Sequence, residues 1–414
     1  MRQQTLPQLL QAEQDFRHSI SQNPRNAEAK LSLTEILTWL DQLDEARQLC
    51  DEVLEVVGYD QDALLQRVYI EIQRGGFEIA LNDLGVLQKV DPHNSLFQRL
   101  KAMCFFQMER IPEGWEQATQ AFNFEFLKIR YPDLPRWQGE DVTDTVLVLT
   151  MLDIRGGGDE IMFASILPEI IKKAKLCFIE TEIRALELYR QSFPDAVVFC
   201  RGEQPWVEQA VKVDYHSWVR ELAPHFFSDR EEFPQERGYL KVTDKSLAHW
   251  TSELNALDEK TLKVGICWRS FHSVGPNKPF CLDLLDLGAV FKLKNVTFIN
   301  LHTLDGEEEV LSTEKEFGIK IHSIDEDGLH NNFDHIAGLS MACDAVVTVS
   351  TTVSMIASGV GANVFELRPD YTALCMDVLP WFAHQKIYSR PWNRGWAESV
   401  RSLAEDLDAF LLKN

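Results

Sequence analysis

The sequence has little positive charge. Across 414 residues, 41 Lys and Arg stand against 64 Asp and Glu, a formal net charge of −23 at pH 7. Phosphate backbones and anionic lipid surfaces are met by clustered cations, so this balance argues against non-specific nucleic-acid or membrane-surface binding. A local basic pocket for one small phosphorylated ligand stays open. Long apolar runs are also missing. No stretch has the length to span a bilayer, and the opening MRQQTLPQLLQAEQDF carries no apolar core of signal-peptide length. Cytoplasmic location without membrane insertion is the expectation. The eight cysteines include no Cys-x-x-Cys pair and sit mostly inside apolar runs, which reads as buried free thiols rather than a zinc site.

What is present begins with a repeat. LDQLDEARQLCDEVLEV puts Ala46, Cys50 and Val53 on one helix face, and RGGFEIALNDLGVLQKVDP places Ala80, Leu84 and Leu87 in the same positions 34 residues later. RIPEGWEQATQAF then supplies Gly114, Ala118 and Ala121 after a further 34. Small residues at a fixed position let antiparallel helices approach closely. The pattern resembles the tetratricopeptide repeat, in about three degenerate copies over residues 6–125. The first-helix position that is usually small holds Thr34, Val68 and Ala102. Such an array presents a concave face suited to docking a protein.

The stretch IRYPDLPRWQGEDVTD, with two prolines, a glycine and several acids, reads as a linker. Beyond it, short apolar strands alternate with helices. Strands are expected at TVLVLTML, LCFIET and AVVFC, and again at LKVGICW, NVTFINL, IKIHSI, DAVVTVS and NVFEL. Alternation of this kind implies two doubly wound parallel sheets, with ligands beyond the carboxyl ends of their strands. The division is residues 1–128 for the helical repeats, 129–144 for the linker, 145–258 for the first α/β half and 259–414 for the second with C-terminal helices.

Four loops follow those strands. DIRGGGDEIMFASILPEI carries Gly157, Gly158 and Asp159; it lacks the closing Lys-Ser/Thr of a Walker loop and does not fit Gly-x-Gly-x-x-Gly. It is either a tight capped turn or a site. CWRSFHSVGPNKPF offers Trp268, Arg269, Ser270 and Lys278, which suit a diphosphate or a sugar but equally a solvated loop. VTVSTTVSMIASGVGA ends a buried strand in Ser350, Thr351 and Thr352 before a small-residue helix, an anion site or simply an N-cap. DEDGLHNNFDHIAGL contributes Asn331 and Asp334 at the start of another helix.

Taken in order, GGGDEIMFASILPEI, CFIETEIRALELYRQSFPDAVV, LKVGICWRS, HNNFDHIAGLSMACDAVVTVSTTVSMIASGVGA and PWFAHQKIYSRPWNRGW resemble bacterial glycosyltransferases that join tetratricopeptide repeats to a heptosyltransferase-like GT-B region, the flagellin-modifying type among them. The resemblance implies a metal-independent inverting transferase with no cofactor. Its acceptor would lie mainly against the first half and its nucleotide-sugar donor against the second. Gly158–Asp159 occupies the place of the group's Gly-Asp pair, which makes Asp159 the implied base. Arg269, Ser270, Thr351 and Thr352 would stabilise the departing phosphate, and Asn331 and Asp334 would contact nucleoside or sugar. The group's usual Glu-Gln-Gly-x-Gly is here Ile154-Arg155-Gly156-Gly157-Gly158. A protein acceptor such as flagellin, docked by the repeats, is the leading expectation. A nonulosonic acid on CMP fits the flagellin analogy, and UDP- and ADP-linked sugars fit the sequence equally. A transferase of surface-polysaccharide assembly, or a non-catalytic scaffold, are the alternatives.

Overall fold

The structure is a computed structural model that describes residues 6–121, 130–151, 157–269, 281–302, 306–324, 331–369, 379–391 and 394–413. Among these residues, seven helices come first: α1 (Leu6–Gln22), α2 (Ala27–Trp39), α3 (Leu43–Val57), α4 (Gln61–Arg74), α5 (Phe77–Val90), α6 (Ser95–Gln107) and α7 (Ile111–Ala121). The starts of α2, α4 and α6 are set by side-chain caps that recur with the repeat. Asn26, Asp60 and Asn94 accept hydrogen bonds from the backbone N–H groups of Ala29, Ala63 and Leu96 at 3.1, 2.8 and 3.0 Å. Gly75, in the left-handed region at φ 77°, ends α4.

The repeat positions read from the sequence form the cores between helices. Ala46, Cys50 and Val53 are buried, as are Ala80, Leu84 and Leu87. Thr34, Val68 and Ala102 are all fully buried. The off-pattern Thr34 is accommodated because its hydroxyl donates to the Lys30 carbonyl at 2.9 Å, inside its own helix. Between helices the array is laced by ion pairs: Arg67 reaches Asp51 and Asp83, each at 2.7 Å, and Arg17 reaches Glu45 at 2.6 Å.

The first parallel sheet contains β1 (Val146–Thr150), β2 (Leu176–Thr181), β3 (Val197–Cys200) and β4 (Tyr215–Trp218) in the order β3-β2-β1-β4. Helices α8 (Gly157–Ala164), α9 (Leu167–Lys173), α10 (Leu186–Ser192), α11 (Pro205–Glu208) and α12 (Val219–Phe226) connect and cover it, and α13 (Asp244–Leu257) leads out of it. The second sheet is β10-β9-β8-β5-β6-β7, all parallel, built from β5 (Leu262–Cys267), β6 (Val296–Asn300), β7 (Ile321–Ser323), β8 (Ala345–Val349), β9 (Val364–Pro369) and β10 (Lys386–Arg390). It carries α14 (Glu307–Phe317), α15 (Phe333–Ala342), α16 (Thr352–Gly359) and α17 (Ala397–Leu411). The strands expected from apolar runs are all present. β4 and β10, each at a sheet edge, are additional to them.

The lobes share one apolar core with the end of the helical array. Trp115 of α7 donates through Nε1 to the Phe227 carbonyl at 2.6 Å. Phe163 of the first lobe meets Trp381 of the second with ring centroids 5.2 Å apart. The backbone N–H groups of Tyr239 and Leu240 both donate to the Gly359 carbonyl, at 2.8 and 2.9 Å. Helix α13, which the sequence division placed with the first half, packs against α15 of the second: Ser246 donates to the Asp334 carbonyl at 2.9 Å. Among the described residues no helix is long and apolar enough to cross a membrane.

Candidate functional site

The amino ends of α8 and α16 meet where the two lobes face each other. Gly157 and Gly158 are the first residues of α8, and Gly157 is needed for the close approach. A methyl group at Gly157 would collide with the Phe333 ring of α15. One at Gly158 would stand 3.6 Å from Thr352 Oγ1 and 3.8 Å from Met355 Cγ, both on α16. Asp159 follows in the first turn of α8, one residue beyond the glycine that faces Thr352. Ile154, Arg155 and Gly156 lie outside the described residues.

Asp159 is not isolated. Its Oδ2 accepts from Arg220 Nη2 of α12 at 2.8 Å, with the arginine side chain 4% and the aspartate 16% exposed. The Arg220 guanidinium lies over Phe163 at 4.6 Å and over Trp218 at 5.2 Å. The next residue, Glu160, faces the opposite way. It is buried, accepts from the Thr181 hydroxyl, and is pushed up to about 8 by burial, with the charge of Glu182 adding to the effect and the Thr181 bond opposing it. A neutral carboxyl locked into the core and a partly exposed acid paired with Arg220 thus sit side by side.

On the second lobe, parallel pairing of β5 with β8 sets their carboxyl ends together. Ser350 follows β8, and Thr351 caps α16 by accepting from the Ser354 N–H at 3.3 Å. Cys267 Sγ lies 3.8 Å from Thr351 Oγ1, and burial pushes this thiol up to about 11, so it stays neutral. Arg269 bonds Glu309 at 2.7 Å, at the edge of the same strand ends. Trp268 departs from the sequence expectation. It is fully buried, donates to Glu309 at 3.0 Å, and packs among apolar residues of the second sheet, so its ring is core rather than a platform for a ligand. Ser270 and Lys278 lie outside the described residues.

Asn331 is exposed ahead of α15. Asp334 also departs from its expected role. It is 2% exposed and both of its oxygens are engaged by Thr243, accepting from the N–H at 2.9 Å and from the hydroxyl at 2.6 Å. Those bonds join the start of α13 to the start of α15 and leave no oxygen turned to a sugar. The groups that close the cleft beside it are Asn332, donating to Glu187 at 2.9 Å, and Phe333, whose N–H donates to the Arg184 carbonyl at 2.8 Å.

Arg220 follows β4, which no apolar run marks, so it lies outside the loops that the sequence points to. Its signal was its place in VRELA, an arginine on the buried phase of a helix start. A second feature missed from sequence is a cavity of about 30 Å3 between the lobes, lined by Met162, Met355, Glu366, Arg368, Trp381 and Gln385 among others. Glu366 there is buried, accepts from the Ser354 hydroxyl and from Gln385, and is raised by burial above the usual carboxylate range.

The tetratricopeptide-repeat family profile matches residues 8–63. Protein FlbA of Caulobacter vibrioides is 25% identical over 384 residues, covering 87% of this chain and 63% of the relative. The chain therefore spans less than two thirds of the length of that curated relative. Among solved structures, the glycosyl transferase family 9 protein from Veillonella parvula aligns with a TM-score of 0.50 at 11% identity, over 67% of this chain and 100% of the other. E. coli ADP-heptose lps heptosyltransferase II aligns at 0.47 and 14% identity, over 65% and 99%. The architecture is thus a helical array with a tetratricopeptide-repeat match, followed by two parallel-sheet lobes that share the fold of the glycosyl transferase family 9 protein.

Proposed function

We propose that the chain is an inverting protein O-glycosyltransferase, with Asp159 as the base and a nucleotide sugar as donor. One observation carries the reading: the amino ends of α8 and α16 meet, so a carboxylate of one lobe and the hydroxyls and helix-end amides of the other border one cleft. In the reaction, an acceptor hydroxyl gives its proton to Asp159 as its oxygen bonds the anomeric carbon. The bond from that carbon to the donor phosphate breaks on the opposite face. The departing phosphate gains negative charge, which the α16 N–H groups, Thr351, Thr352 and Arg269 would offset. With those groups present the step as written needs no metal, and a chelator is expected to leave the rate unchanged.

The repeats supply the acceptor. Tetratricopeptide arrays hold proteins on their concave face, and this array is stitched to the first lobe through Trp115. A flagellin is the acceptor favoured by the resemblance of the whole chain, with a nonulosonic acid as the sugar to try first. The test incubates the protein with the flagellin of its own source and separately with CMP-, UDP- and ADP-linked sugars, read by intact mass. One donor is expected to add one sugar mass or more. Absence of a mass shift with every donor, together with no nucleotide binding by calorimetry, would leave a scaffold. Asp159→Asn is expected to lower turnover by about 100-fold or more while donor affinity stays within about twofold. Retained turnover would remove Asp159 as base.

A further inference from the structure

We infer that Arg220 is a positioning residue for Asp159: a buried guanidinium held against two aromatic rings that fixes the direction in which the carboxylate meets the acceptor. The inference rests on Asp159 acting as the base.

Three observations point to it. The first is placement. Arg220 stands at the start of α12, directly after β4, whose last residue Trp218 pairs with Thr150 at the end of β1. It therefore reaches the carboxyl edge of the first sheet, where α8 begins. The second is confinement. Its side chain is 4% exposed, and Phe163 and Trp218 contact its guanidinium from 4.6 and 5.2 Å. A planar cation held against ring faces loses its rotational freedom once, on folding, and not at each turnover. The third is asymmetry. Arg220 Nη2 engages Oδ2 of Asp159 at 2.8 Å, whereas Oδ1 accepts no hydrogen bond from any described residue. One oxygen is tethered and the other is left for an incoming hydroxyl.

Phe163 extends the argument. The same ring that bears on Arg220 packs edge-on against Trp381 of the second lobe, 5.2 Å between centroids. The aim of the carboxylate is thus tied to the seating of the donor-side lobe against the acceptor-side lobe. A merely structural ion pair would have no need of this link. Positioning acts on the rate of the chemical step more than on donor binding, because the donor sits against the other lobe.

The test compares Arg220→Met and Arg220→Lys in the full chain. In Arg220→Met, kcat is expected to fall about 100-fold with donor KM within about twofold of the parent. Arg220→Lys keeps a cation on a similar stem and is expected to recover about tenfold of that loss, short of the whole because the planar contact with the rings is gone. Methylguanidinium, added at tens of millimolar to Arg220→Met, is expected to restore part of kcat without moving the melting temperature. The inference is overturned if Arg220→Lys retains the parent kcat with Arg220→Met matching it, or if both lose activity only in proportion to lost folded protein. If Arg220→Met does not fold, Arg220→Lys with its kcat-to-KM split decides alone. Asp159→Asn separates the two readings. Its full activity would sink the base assignment itself, whereas an inactive Asp159→Asn beside an unaffected Arg220→Met would sink only the positioning role.

Discussion

Asp159 and Glu160 are adjacent acids with opposite environments, and the helical turn between them decides which is buried in the first-lobe core. Asp159 borders the cleft and is tethered by Arg220; Glu160 points into the first-lobe core against Thr181. Their one-letter pattern, DE at the head of a helix, reads as two solvated N-terminal acids, so the burial of the second was not legible. It follows from the pairing of β1 with β2, which sets Thr181 behind α8. The consequence is a stability that depends on pH with a definite sign. An unfolded glutamate ionises near its ordinary value of 4.5, whereas folding holds Glu160 protonated up to about 8. Between those values the folded state carries the extra proton, so stability falls with rising pH, by about 1.4 kcal/mol per unit, and levels off above about 8. Glu160→Gln keeps an oxygen for Thr181 and removes the ionisation. Urea unfolding at pH 5.5, 7 and 8.5 is expected to show the substituted protein gaining on the parent at each step. Parallel curves for the two proteins would show that Glu160 is not held neutral.

Among the elements, the short helices α8 and α16 matter most, since their contact is what makes the cleft. Strands with apolar runs were readable because central parallel strands are buried on both faces. β4 and β10 were not, because edge strands need no continuous apolar run; YHSW and KIYSR carry their polar residues to a sheet margin. The meeting of α8 with α16 was half legible. Glycines at the head of α8 suggested close approach, yet which partner approached, and which glycine met it, depend on the packing of two lobes. The structure separates the two residues. Gly157→Ala would drive a methyl into Phe333, a ring 1% exposed whose face is covered by Arg184 at 4.8 Å, so it cannot swing aside. Overpacking of this kind costs about 1–3 kcal/mol. At Gly158 the same methyl finds ordinary contact distances, and alanine gains up to about 1 kcal/mol in helix propensity. Thermal melting of the two variants is expected to split in sign, downward for Gly157→Ala and level or upward for Gly158→Ala. Equal losses in both would mean that the helix ends do not meet as described.

At the scale of the whole molecule, the helical array touches both lobes. At its carboxyl end, Trp115 bonds Phe227 and Glu109 pairs with Arg230 at 2.8 Å, both on the first lobe. Near its other end, Asp41, in the turn between α2 and α3, accepts from Arg390 of β10 at 3.0 Å. The Arg390 guanidinium rests over Trp396 at 4.9 Å and also donates to the Arg394 carbonyl at 3.1 Å. The repeat itself was legible from its 34-residue spacing. A polar contact between residues 349 apart was not, because it leaves no periodic trace in either segment. Two consequences follow. Cutting the chain before residue 129 would strip Trp115 from the core it shares with the first lobe, so removal of the repeats is a poor test of docking alone. The array also bridges the cleft from outside, and any widening between the lobes has to stretch or break the Asp41–Arg390 pair. Asp41 is 34% and Arg390 7% exposed at the side chain, so water screens one partner while the other stays confined. A double-mutant cycle with Asp41→Asn and Arg390→Gln is expected to give a coupling of about 1 kcal/mol in unfolding free energy. Hydrogen exchange supplies the structural counterpart: Asp41→Asn is expected to speed exchange in the α2–α3 turn and in β10 while β1 and β2 keep the parent rates. A coupling of zero with unchanged exchange in β10 would show that the array is held by the first lobe alone.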